Sequence, residues 1–210
     1  MNDQAIVRGD FAHVGYRVIP KLLPDRLRAF LYKYAVKSAH AGRLDSGDAS
    51  VPNAPCRYGD PLMESLLVAL LPHISTETGM ALDPTYSYFR IYRQGDSLKM
   101  HRDRPACEVS VTISLGYEAD TIWPLWIETD AGRIAVELDP GDGMLYKGIE
   151  LLHGRVAFNG ARAVQLFLHY VNQSGPHREW KFDKRASLST SAESERTIKM
   201  LVGEPQRTQS

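Results

Sequence analysis

The segment His101-Arg102-Asp103 carries the strongest chemical signal in this chain. Residues i and i+2 of a strand project to the same side of a sheet, so an imidazole and a carboxylate at that spacing converge. Such a pair is most of a metal site. One more ligand on a neighbouring strand completes a face of two histidines and one carboxylate, with the remaining coordination positions open. His153 follows a Pro-Gly turn and a short strand (DPGDGMLYKGIELLHGR) and is the candidate third ligand. Arg162 then opens the alternating segment RAVQLFLHYV. Its planar fork suits two-point capture of a carboxylate. Arg155 is a rival for that role, and the position at a strand start favours Arg162. Together these residues outline a pocket for a dicarboxylate that chelates a metal at one end.

The elements that must position them fall into two parts. Residues 14–19 (VGYRVI) have the pattern of a short strand. From Asp25, the residues Leu27, Phe30, Leu31, Tyr34 and Ala35 keep helical spacing, with Pro24 and Asp25 suited to a first turn. A Gly/Ser/Asp/Pro-rich loop spans 42–60, and a second helix runs from Pro61 to about Thr78. From Thr85 onward come short β-branched and aromatic runs at 86–93, 109–117, 121–128, 133–138, 143–147 and 162–171, separated by turn signals. Helices leading into closely spaced strands predict an α+β chain whose body is a sandwich or barrel. Residues 1–185 read as one domain. The tail 186–210 reads as flexible, with a capping-box pattern at Thr190–Glu193 that would start a short helix and offer a homodimer element.

Composition narrows the class. The chain has 210 residues, with 25 Lys plus Arg balancing 25 Asp plus Glu, so there is no basic excess of the kind a nucleic-acid backbone selects. Cys56 and Cys107 are too few for a disulfide scaffold and stand in no CxxC. The N-terminal MNDQAIVRGDF has no long apolar run, and no stretch approaches a membrane span, so a cytoplasmic setting without a membrane partner is expected. Arg8-Gly9-Asp10 carries no function in that setting.

With these residues in view, the stretch from about 84 to 171 resembles the iron(II)- and 2-oxoglutarate-dependent oxygenases, particularly their prolyl-hydroxylase-like branch. The resemblance rests on the ordered set His101-x-Asp103, His153 and Arg162. It implies a double-stranded β-helix (jelly roll) with N-terminal supporting helices, and iron(II) held by His101, Asp103 and His153. It implies 2-oxoglutarate as co-substrate, its keto acid on the iron and its far carboxylate on Arg162, with O2 as the third component. Tyr92 matches a tyrosine that faces the co-substrate in some members, and Ser114 lies near a position that supports the far carboxylate. The implied reaction hydroxylates an unactivated C–H bond and releases succinate and CO2. Asp103 argues against the halogenating variants, which lack that carboxylate. Leu168 stands where nucleic-acid demethylases carry a second arginine.

A small metabolite, such as an amino acid or natural-product intermediate, is the expected substrate. A peptidyl side chain is the alternative within the same chemistry. Two readings from other classes stay open: a non-catalytic jelly-roll binding module, and a metal enzyme in which Arg162 binds a substrate carboxylate without 2-oxoglutarate. Loops 42–60 and 172–185 are the candidate lids, with Trp180 over the mouth. Lys99, Arg102 and Arg104 could form a basic rim for an anionic substrate. Trp123 and Trp126 are assigned to packing, and His13, His40, His73, His169 and His177 to no role. His169 is seven residues from Arg162 on one strand, hence on the opposite face.

Overall fold

A computed structural model describes residues 9–203 of the protein. The segment through Arg8, most of the N-terminal stretch MNDQAIVRGDF, and residues 204–210 of the tail lie outside the described residues.

A single helical turn, α1 (Phe11–Val14), and strand β1 (Tyr16–Ile19) lead into two helices. Helix α2 (Asp25–His40) buries Leu27, Leu31, Ala35 and Ser38, the spacing that puts one stripe on the core. Helix α3 (Pro61–Thr78) starts where the Asp60 carboxylate accepts from the amides of Leu62 and Met63, with Pro61 in the first turn. It ends at Gly79, which adopts the left-handed conformation with φ 69°. Between the two helices lies the short strand β2 (Cys56–Tyr58), which the loop-like composition of 42–60 did not announce.

The remaining strands are β3 (Leu82–Arg93), β4 (Leu98–His101), β5 (Val109–Glu118), β6 (Leu125–Thr129), β7 (Gly132–Val136), β8 (Gly143–Tyr146), β9 (His153–Arg155) and β10 (Arg162–Asn172). They form two antiparallel sheets, one ordered β1-β8-β5-β10-β3-β2 and the other β4-β9-β6-β7. This is the double-stranded β-helix expected from the sequence, with α2 and α3 supporting the larger sheet.

Side-chain parity divides that larger sheet into a dry face and a chemical face. Val109, Val111, Ile113 and Leu115 of β5 and Val164, Leu166, Leu168 and Tyr170 of β10 pack with Leu27, Leu31, Met63, Leu66, Leu67 and Leu70 of the helices. The opposite parity brings Ser110, Thr112 and Ser114 of β5 beside Gln165 and His169 of β10, all buried between the sheets. Burying that many polar side chains is costly unless they are paired or serve a ligand. Parity therefore locates the site before any single residue does.

The short helix expected in the tail is present, and the segment is anchored to the core. Helix α4 (Ala192–Val202) is capped by Ser191, which accepts from the Ser194 amide, and Ile198 is buried in the main core. The Thr190 hydroxyl bonds Ser65 of α3, and Glu64 of α3, fully buried, holds Arg185 at 2.5 Å and accepts from the Ser189 amide. A buried carboxylate must find donors, and these anchor the segment that composition alone marks as mobile. Among the described residues no helix is long and apolar enough to cross a membrane.

Candidate metal centre

Two short strands carry the histidines. β4 and β9 are antiparallel neighbours, and His101 stands directly opposite His153. Gly154 keeps them close: a Cβ there would sit 2.7 Å from the Leu98 carbonyl oxygen and 2.9 Å from the Met100 nitrogen. Both imidazoles are fixed in the same way. His101 Nδ1 lies 2.9 Å from the Lys99 carbonyl oxygen and His153 Nδ1 lies 2.9 Å from that of Leu151. Each carbonyl requires a proton on Nδ1 and leaves the Nε2 lone pair free to ligate. The two Nε2 atoms converge on Asp103 Oδ1, at 3.5 Å from His101 and 3.6 Å from His153.

Asp103 arrives by a route the strand argument did not foresee. β4 ends at His101, so simple alternation does not carry the carboxylate. Its backbone amide instead donates to the Gly148 carbonyl, and Ser110 Oγ donates to Oδ2 at 3.1 Å. Gly148 is required by contact: a Cβ would fall 2.4 Å from Asp103 Oδ2 and 2.3 Å from the Cys107 carbonyl oxygen. Oδ2 thereby accepts from the Ser110 hydroxyl, and Oδ1 faces the histidines. The three ligating atoms lie within 4.8 Å of one another, a spacing that fits a metal ion bound through one carboxylate oxygen. Replacing Ser110 by Ala should weaken metal binding about tenfold, at the low end for partners that orient a ligand. A metal titration of the two proteins checks it.

His169, given no role above, also enters this cluster. Its Nδ1 lies 2.9 Å from Ser110 Oγ, which links it to Asp103. Asp103, Cys107 and His169 form a second group of ligand atoms within reach of one another. Burial pushes the Cys107 thiol well up, with Asp103 adding to the effect, so it stays a thiol and the group is the weaker metal site.

The titration of this cluster follows from burial and pairing. The Asp103 hydrogen bond raises His101, while desolvation lowers His153. Desolvation also drives His169 down to about 4 from an ordinary 6.5, against the attraction of Asp103. A histidine with a depressed folded pKa binds its proton more readily when unfolded, so stability falls as pH drops from 6.5 towards 4. The full effect is about 3 kcal/mol. Metal-free protein should lose part of this between about pH 6.5 and pH 5, and His169→Asn should flatten the slope in urea unfolding, which resolves differences of this size.

Tyr92 and Ser114 both lie on the chemical face. Tyr92 is fully buried, edge-on to Trp123, and its hydroxyl accepts from Arg90 Nη1 at 3.3 Å. Ser114 Oγ and Thr112 Oγ1 are buried with no partner among the described residues. Arg162 requires a correction. It has the parity of Val164, Leu166 and Leu168, which pack under the helices, and its guanidinium pairs with Glu118 at 3.2 Å on the outer side. The arginine on the inner face of β9 is the rival, Arg155. It is 4% exposed, stacks 4.7 Å from the Trp123 ring, and donates to the Trp123 carbonyl at 2.6 Å and to Gln165 Oε1 at 3.4 Å. No carboxylate pairs with it among the described residues, and desolvation lowers its pKa to about 10.

The expected rim and lids are differently occupied. Arg102 Nε donates to the Glu150 carbonyl, and Arg104 makes a two-point pair with Asp183 at 2.6 and 2.8 Å. Asp183 lies between Phe182 and Lys184, all three at positive φ, in the segment that brings Trp180 beside Tyr86 and Cys107. From the other side, the 42–60 loop places Asp48 and Ser50 on the wall of the cavity that holds His101, Asp103 and His153.

No protein-family model matches the sequence, and no curated protein matches it. Solved structures do. A prolyl-4-hydroxylase from Pseudomonas putida aligns with a TM-score of 0.66 at 20% identity, over 80% of this chain and 97% of its own. EctD from S. alaskensis aligns with a TM-score of 0.66 at 18% identity, over 91% and 89%. HygX from Streptomyces hygroscopicus, solved with nickel and 2-oxoglutarate, aligns with a TM-score of 0.60 at 13% identity, over 78% and 85%. The likeness is one of fold.

Proposed function

We propose that this protein is an iron(II)- and 2-oxoglutarate-dependent oxygenase that hydroxylates an unactivated C–H bond of a small metabolite, with release of succinate and CO2. The observation that carries this reading is the convergence of two Nε2 lone pairs on one carboxylate oxygen, set into a β-helix interior that holds a buried arginine with no carboxylate partner among the described residues. The fold is shared with solved proteins whose names or ligands include prolyl-4-hydroxylase and bound 2-oxoglutarate.

In this reading His101, Asp103 and His153 would hold the iron, with Ser110 holding Oδ2 of Asp103 so that Oδ1 faces the two histidines. The far carboxylate of 2-oxoglutarate falls to Arg155, with Gln165 beside it and Ser114 and Thr112 offering unpaired hydroxyls on the facing strand. Iron(II) chelated by 2-oxoglutarate supplies the oxidative decarboxylation with O2 and the attack on the C–H bond. The chain supplies orientation and dryness: Tyr92, Leu98, Leu125 and Tyr146 line the cavity and are buried. The cavity, about 160 Å³, is small. It is below the roughly 300–1,000 Å³ usual for ligand pockets.

An anaerobic titration of metal-free protein with iron(II), then 2-oxoglutarate, tests the reading. A visible charge-transfer band should grow with 2-oxoglutarate and be absent in His153→Ala. Iron binding with no band would remove the co-substrate, and a folded protein that binds no iron would leave a binding module.

A further inference from the structure

The inner face of β3 carries a second buried arginine that the chemistry above does not use. The Arg90 side chain is 5% exposed and opens on the cavity that contains the metal-ligand cluster. Its guanidinium lies 5.2 Å from the Tyr88 ring and 5.4 Å from the Tyr92 ring. Nη1 donates to the Tyr92 hydroxyl at 3.3 Å and Nη2 to the Tyr88 hydroxyl at 3.1 Å, while Nε is buried without a partner. Its carboxylate partner is Asp48, which is 40% exposed and reaches in from the 42–60 loop. The Tyr88 hydroxyl donates to the same Asp48 oxygen, Oδ2, at 2.8 Å.

The loop does not need this contact to stay in place. Val51 and Ala54 are buried against Tyr92, Leu98 and Trp123, and the backbones of Asp45 and Cys56 bond each other at 2.9 and 3.0 Å. Asp48 also caps its own turn through Oδ1, which accepts from Ser50 and Val51. Oδ2 is therefore free to give up Arg90 with the turn intact. What the contact provides is a counter-charge for a guanidinium that would otherwise be buried alone, a costly state. A ligand carboxylate would reproduce the bonds that Oδ2 makes with Arg90 and Tyr88, and Asp48 would turn to water.

We infer that Arg90 receives the carboxylate of the substrate, a small carboxylic acid, and that Asp48 occupies this position until the substrate displaces it. The inference rests on the oxygenase reading for what the site serves, and it deepens that reading by naming the substrate class. Asp48 lines the small cavity, so its displacement would also enlarge it.

Propionate is the probe, read by the shift in thermal midpoint at constant ionic strength, with propionamide as the neutral control. Protein is loaded with manganese(II) and saturating 2-oxoglutarate, so the co-substrate site cannot take the probe. A tethered competitor acts at an effective concentration in the mM range. Asp48→Asn should therefore bind propionate at least about tenfold more tightly than the parent protein. Propionamide should give no shift, and Arg90→Gln in the Asp48→Asn background should abolish the response. Asp48→Ser repeats the first arm, and Arg90→Lys, which keeps charge but loses the fork, replaces Arg90→Gln if that variant does not fold. No gain in either Asp48 variant, or a response that survives loss of the Arg90 fork, overturns the inference. Failure to load 2-oxoglutarate counts against the oxygenase reading instead. The propionate comparison on metal-free protein in an Arg155→Met background, where that arginine cannot take the probe, then decides the Arg90 site.

Discussion

Replacing Arg155 by Met should cut 2-oxoglutarate affinity by about 30-fold or more while leaving the thermal stability of the metal-free protein undiminished. The two halves of this result have one cause. Arg155 is buried without a carboxylate partner among the described residues, and desolvation already lowers its pKa to about 10. An apolar side chain of similar length removes that burden from the folded state, as exchange of buried charges for packed apolar groups often does. Truncating one member of a buried charge pair in a complex costs about 2–5 kcal/mol, or roughly 30-fold to several-thousand-fold in affinity. The contrast is Arg162→Met, which loses a partly exposed pair with Glu118 worth at most about 1 kcal/mol. It should change 2-oxoglutarate affinity less than twofold. Calorimetric titration of manganese-loaded protein with 2-oxoglutarate reads both variants. Loss in Arg162→Met with binding intact in Arg155→Met would return the clamp to the outer arginine, against the parity of β10.

That parity explains what was legible in the sequence and what was not. The alternating runs gave the long strands to within a few residues, because β5 and β10 are buried on one apolar face and must alternate. The sequence also held the correction. In RAVQLFLHYV, Arg162 shares its parity with Val164, Leu166 and Leu168, whereas Gln165 and His169 share the other. A strand whose one parity is all aliphatic presents that side to the core, so the arginine at its head points towards the helices. The position at a strand start favours an inward Arg162, but on this strand parity describes the geometry. The polar alternation Ser110, Thr112, Ser114 in β5 carried the same message about which face is chemical.

Other features had no local signal. β4 and β9 span four and three residues, too short for periodicity, yet they place the histidines. Asp103 is positioned by Gly148 and Ser110, contacts made through the fold and not along the chain. The polar composition of the tail reads as mobile. It is fixed by Glu64, one buried carboxylate on α3 whose partners are distant in sequence.

The largest effect expected in this protein is at Asp103. Asp103→Ala should weaken iron(II) binding by well over ~100-fold, beyond the 10–100-fold that residues supporting a ligand produce. It should also change how binding depends on pH. In the metal-free protein the Asp103 hydrogen bond is the main cause that raises His101, so a metal must displace a proton from Nε2 to bind there. His153, lowered by desolvation, is already neutral near pH 7 and releases none. Affinity of the parent protein should therefore rise with pH until the raised His101 pKa is passed, at close to one proton per metal, and then level off. Without Asp103, the residual binding to His101 and His153 should level off at a lower pH, because His101 loses the partner that holds its proton. Manganese(II) titrations across about pH 6 to 8 read both the affinity and the slope. Binding in Asp103→Ala within tenfold of the parent would exclude Asp103 as a ligand. A plateau left in place would assign the proton to another group.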